Sequence, residues 1–139
     1  MTWFLNLQPL QEPFDLGSPD EAGRAQWSCN FLATKRPSPS FILEVIAVLV
    51  AAGVGIDSGP NANIFGSSMA TIPAGDGPFL SIRATGGTGP LGTHDGGPGA
   101  YRRPGVHVLA RAATAAAAEA MAQSAFEALV AVRNQAVSA

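Results

Sequence analysis

The chain has few charged residues, one cysteine and no hydrophobic run long enough to cross a bilayer. Charged side chains make up 13% of its 139 residues and the net charge is −2, so it lacks the clustered lysines and arginines that neutralise nucleic-acid phosphates. The single cysteine, Cys29, excludes an internal disulfide and a cysteine-based metal cluster. We expect its thiol to be a small buried hydrophobic group.

The most apolar segment, residues 41–53, is shorter than the roughly 20 residues that span a membrane, and it contains Glu44. It is therefore predicted to be a core helix. Residues 1–5 carry no basic region of the kind that begins a secretory signal. We expect the protein to be made and used in the cytoplasm, or in an assembly built there.

The composition also bears on domain count and on assembly. A chain of 139 residues is long enough for one domain with one core. Hydrophobic residues make up 47% and charged residues 13%, so many apolar or small side chains must lie on the surface. We expect part of that surface to face other subunits.

Alternation and turn residues predict the elements. Strands are predicted at residues 3–7, 24–35, 79–85 and 105–111, with a brief one within 61–66 and a loop at 11–23. One helix begins at 38–40 and ends at Gly53, and a second, capped by Thr114, runs to Asn134. The inward stripe of the second helix is predicted to be Ala118, Met121, Ala122, Ala125, Phe126, Leu129 and Val132.

These elements predict an α/β (α+β) fold, with one small, mostly antiparallel sheet covered on one face by two helices. The whole chain, 1–139, is one domain. Residues 1–36 complete the sheet, and residues 38–139 supply a helix, strands, a long glycine-rich loop and the second helix.

That glycine-rich loop, residues 86–101, is too long for a tight turn and too polar to be buried, so we interpret it as an interaction arm. An aromatic ring and two guanidinium groups follow where the arm rejoins the sheet, and such residues are enriched at protein interfaces. The predicted contact residues are Gly86, Gly87, Leu91, His94, Asp95, Tyr101, Arg102, Arg103 and Arg111.

Three patterns resemble binding or catalytic motifs, but none of them predicts a functional site. Residues 87–92 match the dinucleotide-binding fingerprint, yet Pro90 removes a backbone donor and no helix follows. His94 and Asp95 could form a base with its orienting carboxylate, but a glycine-rich loop does not hold them rigidly. His107 is predicted to be a hydrogen-bonded strand residue. We therefore expect no catalytic residue, no cofactor and no metal.

A strand that ends in Thr85-Gly86-Gly87 is followed by Tyr101-Arg102-Arg103-Pro104, by a Val-x-Val-x-x-Arg strand at 106–111 and by an alanine-rich helix. With the Ala-Ala-Gly-Val-Gly at 51–55, this stretch resembles the tail-terminator or minor capsid proteins of tailed bacteriophages. The resemblance extends over residues 41–134, about two-thirds of the chain, and its motifs are moderately specific.

The order of segments differs from that family. Parts that resemble residues 9–17 and 20–24, with the strand through Asn30, come last in the family and first in this chain. Two explanations account for this order. The protein is a true circular permutation of the family fold, or the start of its sequence has been misplaced on a circular or permuted genome map. In both cases the two ends of the chain are expected to lie close together, and the N-terminal strands are expected to complete the sheet.

The resemblance implies a structural virion protein, not an enzyme. It would form a ring, expected to be hexameric, at the head-proximal end of the tail, where it ends tail-tube polymerisation and docks to the head-side connector or stopper. Its partners would be copies of itself, the tail-tube protein and, in a contractile tail, the sheath protein, with DNA only passing through the lumen. It would assemble in the host cytoplasm and reside in the virion. The alternatives are a head-closure or connector-adaptor ring, and a small enzyme with the arm as a lid over His94 and Asp95.

Overall fold

A computed structural model describes residues 3–17, 23–35, 41–66, 73, 75, 77–91, 101–132 and 135–137. The elements in chain order are β1 (Trp3–Pro9), β2 (Phe14–Asp15), β3 (Ala25–Lys35), α1 (Phe41–Ala51), β4 (Ile64–Gly66), β5 (Phe79–Leu91), β6 (Tyr101–Ala112), α2 (Ala115–Val130) and β7 (Gln135–Val137).

All the strands join one sheet. Its order is β4-β5-β6-β3-β1-β7, and β2 pairs with β3 beside this path. The pairing of β4 with β5 is parallel, and the other pairings are antiparallel. The α+β fold expected from the sequence is therefore confirmed.

The core lies between the sheet and the helices. Alternate residues of β3 and β6, such as Cys29, Phe31 and Val108, are buried on the same face. Phe31 meets Phe126 of α2 with ring centroids 5.8 Å apart. The inward stripe predicted for the second helix is buried throughout, and the Thr114 hydroxyl accepts a hydrogen bond from the Ala117 amide at 3.2 Å, so the predicted cap is also confirmed.

Cys29 is fully buried, as expected, and burial raises the pKa of its thiol to about 12. A thiol that stays protonated at neutral pH is a poor nucleophile and a poor metal ligand. Cys29 therefore acts as a small apolar side chain of β3.

One buried ion pair ties α1 to the end of β3. The Lys35 ammonium lies 3.0 Å from Glu44 Oε1, and the two side chains are 3% and 1% exposed. The ammonium also lies 5.5 Å from the centre of the Phe41 ring. Removing one partner of such a pair typically costs about 3–5 kcal/mol because the other charge is left uncompensated. The pair therefore fixes where α1 begins against the sheet.

The two end strands pair with each other. Trp3 lies opposite Val137, and Leu5 lies opposite Gln135. Further strand pairing joins β1 to β3 and β3 to β6. The expectation that the N-terminal strands complete the sheet is confirmed, and the first and last described strands, β1 and β7, lie side by side, an arrangement that both explanations of the segment order share.

The predicted element bounds need several corrections. Strand β5 continues to Leu91 and β6 begins at Tyr101, so strands enter the predicted loop 86–101 from both sides, and the connecting residues 92–100 lie outside the described residues. Strand β1 continues to Pro9, β2 lies inside the predicted loop 11–23, and α2 ends at Val130. Pairing with a neighbouring strand explains the extra strand residues, because it stabilises extended backbone where local propensity is weak.

Strand β5 is irregular at its glycines in two ways, in its register against β6 and in its backbone conformation. The register shifts between Thr85 and Thr88, where β5 has one residue more than β6, as in a β-bulge. Gly87 adopts a φ of 63°, and a Cβ there would collide with the backbone of Arg103 and Gly105, whereas a Cβ at Gly86 would meet open space. Gly87 is therefore required by the backbone, and Gly86 is not.

The two adjacent glycines give a matched test. We expect Gly87→Ala to lower the free energy of unfolding by about 1–3 kcal/mol, because alanine is strained at positive φ and clashes there. Gly86→Ala should leave stability within about 0.5 kcal/mol of the parent chain. Urea unfolding followed by circular dichroism measures both, and equal midpoints for the two variants would contradict the bulge.

Candidate interaction surface

The face of the sheet opposite the helices is the candidate interaction surface, called here the open face. On it β3 contributes Asn30, which lies opposite His107 of β6, and His107 lies opposite Arg83 of β5. Among the residues that the structure describes, no helix packs on this face. Pro73 and Gly75 cover one end of it, because Arg111 donates hydrogen bonds to their carbonyl oxygens.

His107 occupies the middle of the open face. Its Nε2 lies 2.5 Å from the Ser28 hydroxyl oxygen, which confirms the predicted hydrogen-bonded strand histidine. Burial, and then the charge of Arg83, lower the pKa of His107 from its ordinary value. Ser28 is 1% exposed, so its hydroxyl has no access to a substrate, and we assign the pair a structural role.

Three exposed apolar side chains form one margin of this surface, named here the apolar edge: Leu10, Phe14 and Leu16, which are 57%, 41% and 39% exposed. The Leu10 amide bonds to Asn30 O at 2.9 Å, and the Leu16 amide bonds to Gln26 O at 3.1 Å. The chain from β1 to β2 therefore runs along β3 as one interrupted strand, with its apolar side chains on the open face. Sequence reasoning missed this edge because proline and glycine punctuate the segment.

The predicted arginine pair is divided between the two faces. Arg102 lies opposite Lys35, on the face that carries the helices, and it is exposed. Arg103 alternates with Arg102 and so belongs to the open face, as does the exposed Arg83. Adjacent residues of a strand project to opposite sides, so Arg102 and Arg103 do not form one basic patch.

Arg111 has a structural role inside the subunit. It is 7% exposed, it donates to the carbonyl oxygens of Pro73 and Gly75, and its guanidinium lies 5.5 Å from the centre of the Phe79 ring. The predicted partner contact at Arg111 is therefore corrected, because a side chain enclosed in this way has no surface to offer a partner.

The remaining predicted contact residues belong to the hairpin. Leu91 ends β5 and lies opposite Tyr101, which begins β6. His94 and Asp95 lie outside the described residues. Within the described ranges, no group of three or more His, Cys, Asp and Glu residues could hold a metal ion, and no helix combines the length and hydrophobicity needed to cross a membrane.

A second apolar surface lies on the helix side of the molecule. Leu43 and Val50 of α1 are 54% and 36% exposed, and Ile56, in the segment that follows, is 51% exposed. Residues 41–53 are predicted to form a core helix, and Leu43 and Val50 are the large apolar side chains of α1 that the fold leaves exposed.

No protein-family model, no curated protein and no solved structure matches the chain.

The lowered pKa of His107 predicts a pH dependence. Because its ordinary value is 6.5 and the folded value is lower, the unfolded chain binds a proton more readily, and the stability held above about pH 6.5 is lost as the pH falls. We expect the urea midpoint to fall between about pH 7.5 and 5.5. The variant His107→Gln should reduce this slope and His94→Gln should retain it, whereas an unchanged slope in His107→Gln would contradict the assignment.

Proposed function

We propose that the chain is a structural subunit of a bacteriophage tail, and that copies of it form a ring at the head-proximal end of the tail. The ring ends polymerisation of the tail tube and docks to the head-side connector. The subunit acts by binding copies of itself and neighbouring proteins, and it catalyses no reaction. Its site of action is the virion, with DNA passing only through the ring lumen.

The observation that carries this proposal is the open face with its apolar edge. Ser28, Ser81 and Arg111 on this face are buried, but Leu10 and Phe14 along its edge stay accessible although they are large and apolar. Exposed apolar groups that lie together mark interaction sites on soluble proteins. The motifs at Thr85–Gly87 and Tyr101–Pro104 resemble those of phage tail-terminator proteins, and this resemblance is the reason for proposing a ring in the tail.

The second apolar surface, at Leu43, Val50 and Ile56, supports a subunit that touches more than one kind of neighbour. A closed ring needs two different lateral surfaces on each subunit, and a ring in the neck also contacts the tube on one side and the connector on the other. The α1 surface lies on the side of the sheet opposite the open face, so a subunit can contact the tube or the connector through the α1 surface while its open face contacts other copies.

The direct test is the solution mass of the purified protein by light scattering, together with negative-stain images of the protein alone and with tail tubes. We expect a ring with an open lumen, bound at one end of each tube. A monomer at every concentration, with tube ends left bare, would contradict the proposal. A ring that binds the connector but not tube ends would instead identify a head-closure or adaptor ring.

A further inference from the structure

We propose that His107 makes the contact between copies sensitive to pH: the ring forms while the imidazole is neutral, and protonation of the imidazole separates the open face of one copy from the next. This inference rests on the proposed function, because it concerns the surface through which copies of the chain join in the ring. It identifies one titratable group that controls assembly.

His107 lies within reach of a contact that is centred on the apolar edge. The strand registers place it in one row between Asn30 of β3 and Arg83 of β5. At the near end of this row the Leu10 amide bonds to Asn30 O. Neighbouring strands lie about 4.8 Å apart, so His107 lies roughly 10 Å from the apolar edge. An interface of ordinary size covers about 800 Å² of each partner, a patch roughly 30 Å across, and such a contact covers His107.

The side chains around His107 offer a protonated imidazole no carboxylate to pair with. Leu32 and Leu109 are half-buried on the same face. Ser28, whose hydroxyl oxygen lies 2.5 Å from His107 Nε2, is neutral. Strands β3, β5 and β6, which form this part of the open face, contain no acidic residue. Within these strands the imidazole therefore has only neutral and positively charged groups around it.

The charged groups on this part of the open face are arginines. Arg83 lies directly opposite His107 and is exposed. On β6 itself, Arg103 and Arg111 belong to the same face, four residues to either side. At the covered end of the face, backbone carbonyl oxygens accept hydrogen bonds from Arg111 and from Arg24. A protonated imidazole would therefore be a second positive charge beside Arg83.

Covering the open face makes protonation of His107 less favourable. In the subunit, burial and then the charge of Arg83 already lower the pKa of His107. A neighbouring copy removes more water from both groups, which disfavours the charged imidazole and strengthens the repulsion. The pKa in the ring is then lower than the pKa in the separate subunit, so the separate subunit binds the proton more readily. Assembly is strongest above the pKa of the separate subunit and weakens as the pH falls below it.

The test follows the concentration for half-assembly by light scattering at constant ionic strength. Between about pH 7.5 and 5.5, a range that includes the ordinary histidine value, we expect this concentration to rise at least about threefold for the parent chain. The variant His107→Gln keeps a polar side chain without a titratable group, so its concentration for half-assembly should stay nearly constant. Circular dichroism at each pH should show that the separated subunits are still folded.

Four further variants show whether the rise belongs to this imidazole. Arg83→Gln removes the charge beside His107, which then binds a proton more easily, so the rise should begin at a higher pH. Arg102→Gln lies on the face that carries the helices and should behave like the parent chain. Glu12→Gln removes an exposed carboxylate within the segment of the apolar edge, and it should also behave like the parent chain. His94→Gln should keep the full rise.

A second measurement counts the protons directly. If the ring requires a neutral His107, dissociation by dilution at about pH 6 takes up protons, and the measured heat depends on the ionisation enthalpy of the buffer. Isothermal titration calorimetry in two buffers gives the number of protons. We expect a positive number for parent rings and a number near zero for His107→Gln, whereas a purely structural effect of the substitution would leave the proton uptake unchanged.

The outcomes separate this inference from the proposed function. A concentration for half-assembly that is constant or falls with the pH, a rise that His107→Gln retains, or subunits that unfold as the rings dissociate would overturn the role of His107 and leave the ring function standing. A parent chain that forms no ring at about pH 7.5, alone or with tail tubes, would overturn both.

Discussion

The register of β3 against β6 is the constraint on which the rest of the structure depends. It sets Cys29 opposite Val108 and Asn30 opposite His107, so buried apolar residues collect on one face, and polar residues together with Leu32 and Leu109 lie on the other. A slip of one residue would exchange the two faces, because side chains alternate along a strand. The helices pack where the apolar rows lie, and the other face is left for contacts.

Once the helix-covered face is closed, the few charges of the chain acquire separate roles. Lys35 and Glu44 form a buried ion pair that joins β3 to α1. Arg111 donates hydrogen bonds to the carbonyl oxygens of Pro73 and Gly75. On the open face, Arg83 lies opposite His107, and Arg24, which precedes β3, donates a hydrogen bond to the Gly75 carbonyl oxygen.

Local pattern was enough to predict much of the fold, but not the features that depend on distant partners. Alternation predicted β3 and β6, and helical spacing predicted the buried stripe of α2. Strand β2 was missed because Phe14 and Asp15 stand among prolines and glycines, and β5 was cut short at Gly86 because only pairing with β6 extends it. The burial of Arg111 depends on carbonyl groups far away in sequence, whereas the division of Arg102 from Arg103 follows from alternation and could have been predicted.

The proposed ring requires that the open face, and not the helix side, joins copies of the chain. Hydroxyl-radical footprinting of the purified ring against its dissociated subunits tests this most directly, because it reports the exposure of individual side chains. We expect labelling of Leu10 and Phe14 to fall severalfold on assembly, while Leu43 and Ile56 stay as accessible as in the subunit. Protection of Leu43 and Ile56 with unchanged labelling of Leu10 and Phe14 would contradict the account.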